Sequence, residues 1–251
     1  MTTSPTSPVY DTIGRHYTTH RRADPRWEAV VAEQIGDAAR IVNVGAGTGS
    51  YEPDGCAVVA VEPSTVMLGQ RRPDAAPAVR AGASGLPIRS GWADVAMAIL
   101  TVHHWDDWER GLAEMCRVAP RRIVLGIDFE VHARFWLLQE YLPSVLEHTL
   151  TCGPPADVIA EAIGATTSIV LPTYSDLQDG VLGARWRRPE AYLDPVVRAN
   201  NSGCALADPA AMSAGIAQLE ADLASGAWHE RHRDLLELES IDMGYRLLVA
   251  G

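Results

Sequence analysis

Three glycines at alternate positions, Gly45, Gly47 and Gly49, follow a short apolar run that is rich in β-branched residues, Arg40–Val44. A residue without Cβ adopts positive φ easily and lets a ligand approach the main chain. Glycine-rich turns between a first strand and the next helix commonly hold a nucleotide-like cofactor at the carboxyl edge of a parallel sheet. The stretch therefore predicts a buried strand followed by a cofactor-binding turn.

The glycine spacing differs from the dinucleotide fingerprint, which needs a glycine at the sixth position of the turn, where this chain has Ser50. The next apolar run, Ala57–Val61, ends in Glu62. Together these features resemble motif I of the class I S-adenosylmethionine methyltransferases. The resemblance implies that Glu62 accepts both hydroxyls of the adenosine ribose. The family usually has Asp or Glu at the position of Asn43, so the network to the methionyl amino group is expected to run through an amide.

The same resemblance implies further contacts to S-adenosylmethionine. Tyr17 and Arg22 resemble the leader by which many small-molecule methyltransferases cover the cofactor and pair with its carboxylate, although a plain surface helix is the alternative. Met67 is expected to cover the adenine, and Ala83 and Ser84 to hold its amino group. The full expected set is Tyr17, Arg22, Asn43, Gly45, Ala46, Gly47, Gly49, Glu62, Pro63, Ser64, Met67, Ala83, Ser84 and Thr101.

Two adjacent histidines, His103 and His104, follow the predicted fourth strand, Ala93–Leu100, in a block that resembles motif IV of the ubiquinone-biosynthesis-like branch. Methyl transfer from a sulfonium is an in-line displacement, to which positioning contributes on the order of 7–11 kcal/mol. Many acceptors must also lose a proton, so a base near neutral pKa helps. His104 is preferred over His103, because adjacent side chains alternate in direction. The alternative is that both only orient the backbone.

The elements that position these residues predict an α/β fold. The resemblance implies a Rossmann-like, seven-stranded, mostly parallel sheet with an antiparallel last strand, Tyr245–Ala250. Before that strand lies an insert whose length is unusual for a loop. We expect a disordered leader at 1–8, a core at 9–171 plus 244–251, and a helical cap over the acceptor at 172–243; padding of the sheet edge is the alternative. One long helix is expected over Val131–His148.

Composition limits the classes of partner. The 251-residue chain has a formal net charge of −11, which disfavours binding to a nucleic-acid backbone. No apolar run approaches the roughly 20 residues that span a bilayer, and no signal peptide is expected. Four cysteines without paired spacing indicate neither a disulfide framework nor a metal site, and they fit a reducing cytoplasm. A small-molecule acceptor is therefore favoured, and the oligomeric state stays open.

The leading interpretation is S-adenosylmethionine-dependent methylation of a small molecule, in secondary metabolism. The insert resembles that of actinobacterial methyltransferases with mostly unassigned substrates. Two alternatives remain. One is a protein of this fold that binds S-adenosylmethionine without methylating, as a cyclase-like or scaffold protein. The other is an NAD-dependent oxidoreductase, which Ser50 disfavours because it stands where that fingerprint needs glycine.

Overall fold

The computed structural model describes residues 10–13 and 21–251. The strands in these ranges are short, and the central ones, β1, β4 and β5, are mostly buried, as expected for a sheet covered on both faces. In chain order they are β1 (Arg40–Val44), β2 (Ala57–Val61), β3 (Ala78–Val79), β4 (Val95–Ile99), β5 (Arg121–Ile127), β6 (Thr167–Val170), β7 (Thr173–Tyr174), β8 (Ser240–Ile241) and β9 (Tyr245–Ala250).

The α-helices alternate with the first strands and then cluster in the insert. They are α1 (Tyr10–Ile13), α2 (Pro25–Ile35), α3 (Thr65–Leu68), α4 (Trp108–Val118), α5 (Phe129–His132), α6 (Pro143–Thr151), α7 (Ala156–Ile163), α8 (Pro195–Ala199), α9 (Ser202–Leu206), α10 (Pro209–Ser225) and α11 (Ala227–Arg231). Short 3-10 turns cover Ala83–Gly85, Val102–His104, Leu182–Arg185, Pro189–Leu193 and Arg233–Glu237.

Seven of the described strands form one sheet in the order β3-β2-β1-β4-β5-β9-β6, and β7 pairs antiparallel with β8 in a separate two-stranded sheet. The pairs β1–β2, β1–β4, β2–β3 and β4–β5 are parallel. β9 runs antiparallel to both β5 and β6. The predicted Rossmann-like sheet with an antiparallel last strand is confirmed. Its carboxyl edge brings together the turns after β1, β2, β4 and β5.

Apolar side chains cover both faces of the sheet. On one face α2 buries Trp27, Val31 and Ile35. Its start is fixed by Asp24, whose carboxylate accepts from the Arg26 amide at 3.0 Å. On the other face lie α4 and α7, which bury the apolar residues Leu112, Met115, Val118, Ile159 and Ile163.

The predicted long helix over Val131–His148 is wrong. The structure has instead the helix α5, a π-helical turn at Leu137–Tyr141, and the helix α6, which starts at Pro143. Proline has no backbone N–H to donate and its ring collides with the preceding helical turn, so a continuous helix is broken there. Beyond the break, α6 packs against the insert helix α9, where Gly203 lies next to Val145 and Thr149.

The insert between β6 and β9 packs into the main core. Trp136, between α5 and α6, donates its indole N–H to the carbonyl of Trp186 at 3.0 Å, and its ring lies 5.1 Å from that of Trp228. Trp186, Tyr192 and Trp228, all in the insert, are fully buried. The insert and the segment after β5 therefore share one apolar cluster.

Candidate cofactor and acceptor site

The glycine-rich turn after β1 lies against the turn after β4. Gly45, Gly47 and Gly49 all have positive φ, of 68°, 53° and 94°. A Cβ on Gly45 would collide with the side chain of Thr101, so only glycine fits there. On Gly47 a Cβ would lie 3.2 Å from Cε of Met67. The main chain of this turn therefore lies in close contact with Thr101 on one side and Met67 on the other.

Glu62 joins the turn after β2 to the glycine turn. Its Oε2 accepts from the amide of Gly47 and its Oε1 from the amide of Ser64, both at 2.8 Å. Burial raises the pKa of this carboxyl, and the two amide hydrogen bonds oppose that shift. Each carboxylate oxygen has two acceptor positions. Glu62 therefore keeps capacity for hydroxyl donors from a ligand.

A buried ion pair that the sequence did not reveal lies under the glycine turn. Arg71 and Glu52 are only 6% and 8% exposed, with a nitrogen to oxygen distance of 2.7 Å. Asn43 donates to Glu52 Oε1 at 3.1 Å, and Arg71 donates to the carbonyl of Gly47 at 3.3 Å. A carboxylate is thus present near position 43, but it comes from Glu52 and is neutralised by Arg71. The pattern that would have indicated it is an acidic residue shortly after the turn together with an arginine after α3.

A cavity of about 600 Å³ opens over the glycine turn. It falls within the range of roughly 300–1,000 Å³ that is usual for ligand pockets. Most of the predicted cofactor residues line it: Asn43, Gly45, Ala46, Gly47, Glu62, Pro63, Met67, Ala83, Ser84 and Thr101.

The remaining predicted residues lie elsewhere. Gly49 packs on the Glu52–Arg71 pair. Ser64 caps α3, with its hydroxyl accepting from the amide of Met67. Tyr17 lies outside the described residues. Arg22 is exposed and does not line the cavity, whereas its neighbour Arg21 does.

Arg21 is held by the insert. Its Nε donates to Asp179 Oδ1 at 2.6 Å, and Asp179 Oδ2 accepts from the hydroxyl of Tyr51 at 2.9 Å. The Asp179 side chain is only 2% exposed. Burial and the nearby Asp179 charge raise the pKa of Tyr51, which keeps its hydroxyl a donor. One buried carboxylate, that of Asp179 in the insert, therefore connects Arg21, before α2, with Tyr51, after the glycine turn.

A second, smaller cavity of about 80 Å³ lies next to the first. Tyr10, Arg21 and Leu100 line both cavities. Leu100, directly after β4, has a φ of 51°, which is rare for a residue with a branched side chain. Such backbone strain is often found at functional sites. The smaller cavity is also lined by three histidines, His103, His132 and His148.

His103 and His104 line different cavities: His103 lines the smaller one and His104 the larger. The hydroxyl of Tyr10 lies 3.1 Å from His104 Nε2, and the two rings meet edge to face. Burial lowers the pKa of both histidines, that of His103 to about 4, with a smaller contribution from the charge of Arg21. As whole residues, both histidines are partly buried.

The residues around the larger cavity fit S-adenosylmethionine. The glycine turn offers bare main chain where side chains would block a ligand, and Glu62 presents a buried carboxylate beside it. Within residues 10–13 and 21–251, no three His, Cys, Asp or Glu side chains are placed to hold a metal ion. In the same ranges no helix is both long and apolar enough to cross a membrane.

Comparison with known proteins agrees with this geometry. Residues 42–122 match the family model described as a methyltransferase domain. A structure from Anabaena variabilis, described as a methyltransferase from an antibiotic biosynthesis pathway, is 30% identical over 92% of this chain and 99% of its own, with a TM-score of 0.85. Among curated proteins, none is significantly similar to this chain.

Two further structures share the fold. A methyltransferase from Thermotoga maritima is 22% identical over 66% of this chain and 84% of its own, with a TM-score of 0.52. The cyclase SpnF is 16% identical over 98% of this chain and 97% of its own, with a TM-score of 0.58.

The sheet order and the glycine turn with its acidic partner define a class I S-adenosylmethionine-dependent methyltransferase fold. With the match over nearly its whole length to the Anabaena protein, the chain belongs to this family. Its cofactor is S-adenosylmethionine.

Proposed function

We propose that this protein transfers a methyl group from S-adenosylmethionine to a small-molecule acceptor. One observation carries the proposal: a large cavity with the features of a cofactor site adjoins a small one, and the two meet at Tyr10, Arg21 and Leu100. In-line displacement needs the nucleophile and the methyl group in contact, with water excluded. Two adjoining cavities provide that arrangement.

In this proposal S-adenosylmethionine supplies an electrophilic methyl group on a sulfonium. The main chain of the glycine turn and the Glu62 carboxylate orient its adenosine part. Arg21 takes the role predicted for Arg22 and pairs with the cofactor carboxylate, because Arg21 lines the cavity and Arg22 does not. Asp179 fixes the position of the Arg21 guanidinium.

Tyr10 and His104 form one wall where the cavities meet. Their hydrogen bond of 3.1 Å orients the Tyr10 ring toward the boundary. We propose that this pair excludes water and holds the acceptor in line. A base role for His104 requires its Nε2 to leave Tyr10, so we assign His104 chiefly to positioning.

A natural-product acceptor in secondary metabolism is consistent with the description of the Anabaena relative. The histidine block after β4 supports placing the chain in the ubiquinone-biosynthesis-like branch. The second candidate function is S-adenosylmethionine binding without methylation, and the fold shared with a cyclase keeps it open. A methyltransferase must form S-adenosylhomocysteine in turnover, whereas a protein that only binds S-adenosylmethionine would form none.

The first experiment is calorimetric titration with S-adenosylmethionine, S-adenosylhomocysteine and NAD. We expect the first two to bind and NAD not to bind. Tight NAD binding, or no binding of either adenosyl compound, would contradict the proposal. Formation of S-adenosylhomocysteine during incubation with pooled small-molecule extracts then distinguishes turnover from binding alone.

A further inference from the structure

The smaller cavity contains a histidine whose protonation state the structure defines. His132, on α5, is 3% exposed, and its Nδ1 lies 2.9 Å from the carbonyl oxygen of Met243. A carbonyl only accepts, so Nδ1 must carry the proton. Burial lowers the pKa of His132, so the ring stays neutral. In a neutral imidazole the other nitrogen then has a lone pair.

That lone pair has no partner among the residues that the structure describes, and His132 lines the smaller cavity. Because the Met243 carbonyl holds the proton on Nδ1, the Nε2 atom of His132 is left as a proton acceptor for a ligand in this cavity. The same carbonyl fixes both the tautomer and the ring orientation. His103 and His148 face the same cavity, but no comparable backbone contact of theirs fixes a tautomer within the described ranges.

The charge around the cavity limits the class of ligand further. None of its described lining residues is Asp or Glu, although the chain as a whole has a net charge of −11. Its cation, Arg21, is paired with the buried Asp179. A protonated amine would find no carboxylate here, and an acceptor carboxylate would find no further cation, because Arg21 already pairs with Asp179 and is assigned to the cofactor carboxylate. Apart from Arg21 and the histidines, the lining combines apolar walls, which include Leu100, Ile127, Phe129, Val181 and Leu182, with neutral polar side chains, which include Thr149, Asn201, Ser202 and Tyr245.

We propose that the smaller cavity binds a largely apolar acceptor with a weakly acidic hydroxyl, of the phenol or enol class, and that His132 Nε2 accepts the hydroxyl proton. This inference rests on the proposed methyl transfer. The O–H bond breaks as its proton passes to Nε2, the oxygen forms a bond to the methyl carbon, and the C–S bond of the sulfonium breaks. S-adenosylhomocysteine leaves with the electron pair, and His132 later loses its proton to solvent.

The hydroxyl must be acidic because imidazole is a modest base. An aliphatic alcohol holds its proton too tightly for a neutral histidine to remove it effectively. A phenol or enol loses its proton much more readily, and its oxygen is a good nucleophile once it is freed. The apolar walls suit the ring or unsaturated carbon framework of such a compound.

The test has a readout that needs no turnover. Two-bond proton–nitrogen NMR spectra of the histidine rings, recorded near pH 7 without ligand, should show His132 with Nδ1 protonated and Nε2 bare. The His132→Asn variant assigns the signal, and its shorter amide keeps a donor near Met243. A protonated Nε2 in the wild-type protein would overturn the inference, whether or not the protein binds S-adenosylmethionine.

The second readout uses the protein saturated with S-adenosylhomocysteine and titrated with para-cresol, benzyl alcohol or benzylamine. We expect para-cresol, a phenol that keeps its proton near pH 7, to be the only one of the three that shifts the His132 Nε2 resonance. We also expect it to be methylated from S-adenosylmethionine, and His132→Asn to reduce that turnover roughly a hundredfold while S-adenosylmethionine affinity is unchanged. His132→Gln tests whether a non-basic acceptor at the Nε2 position suffices, and we expect it to stay as slow.

His229→Asn is the matched control, because His229 is exposed on α11 and lines neither cavity. It should behave as the wild type. An Nε2 resonance that para-cresol leaves unmoved, or a stronger response to benzylamine, would overturn the assigned acceptor class. Failure of the proposed function would appear differently, as no binding of S-adenosylmethionine in calorimetry.

Discussion

Asp179 and Arg21 form an ion pair of 2.6 Å that joins the insert before β9 to the segment directly before α2. The pair lies on the wall between the two cavities, since Arg21 lines both. Asp179 also accepts from Tyr51, which follows the glycine turn. The cofactor site is therefore completed by residues that lie far apart in the chain.

Asp179→Asn should weaken S-adenosylmethionine binding by roughly tenfold, because Arg21 loses the charge that orients it. Calorimetry measures the dissociation constant. Asp176→Asn is the matched control: Asp176 also pairs with an arginine, Arg26, but its side chain is 78% exposed and such pairs contribute little. Equal effects of the two variants would argue against a role for Asp179 at the cofactor site.

Glu62→Ala should weaken S-adenosylmethionine binding at least tenfold, about 1.4 kcal/mol, through two lost charged hydrogen bonds to the ribose. Glu62→Gln keeps the shape and part of the hydrogen bonding, so its effect should be smaller. Titration of both variants with S-adenosylhomocysteine gives the comparison. An unchanged dissociation constant in Glu62→Ala would contradict the proposed position of the cofactor.

Arg71→Met should destabilise the fold by about 3–5 kcal/mol, because it leaves the buried Glu52 carboxylate without its cation. Thermal and urea unfolding measure the loss. The double variant Arg71→Met with Glu52→Leu should recover most of it, since no charge is then left unpaired. Arg72→Met, at a neighbouring arginine that is 78% exposed, serves as the control and should change stability little. A double variant no more stable than the single one would exclude this explanation.

His104→Ala should lower turnover more than S-adenosylmethionine affinity, because it removes the partner of Tyr10 at the boundary of the cavities. Tyr10→Phe removes the same hydrogen bond from the other side and should have a similar effect. Steady-state kinetics and calorimetry together separate the two quantities. Full activity of His104→Ala would remove this residue from the mechanism.

Stability should fall as the pH drops below about 6.5. His103 has an ordinary pKa of 6.5 that burial lowers to about 4 in the folded protein. Between these values the unfolded chain binds a proton that the folded chain does not, so acidification favours unfolding. Burial lowers the pKa of His132 in the same direction. Unfolding temperatures measured from pH 7 to pH 4 should decline less in His103→Asn than in the wild type.

Much of the cofactor site around the larger cavity could be predicted from short stretches of sequence. The apolar runs predicted individual strands, and the resemblance to the methyltransferases predicted how they join in a sheet. The glycine turn and Glu62 lie together because parallel strands bring their carboxyl ends to one edge. The Glu52–Arg71 pair and Asp179 were missed. Their roles depend on contacts between residues 19 and 158 positions apart, so no single short motif contains both partners of either pair. Likewise, the tautomer of His132 depends on a carbonyl 111 positions away.

The indole contacts of Trp136 with the insert have a consequence for building chimeras of this protein. Exchanging residues 172–243 alone for those of a relative would cut through the cluster that Trp136, Trp186 and Trp228 share. The hydrophobic core of such a hybrid would be built from two sequences whose side chains do not pack together. A workable crossover must carry the stretch after β5 along with the insert, while the first four strands stay as they are. Transferring acceptor preference from a relative would then require exchanging both segments, the stretch after β5 and the insert, in the same variant.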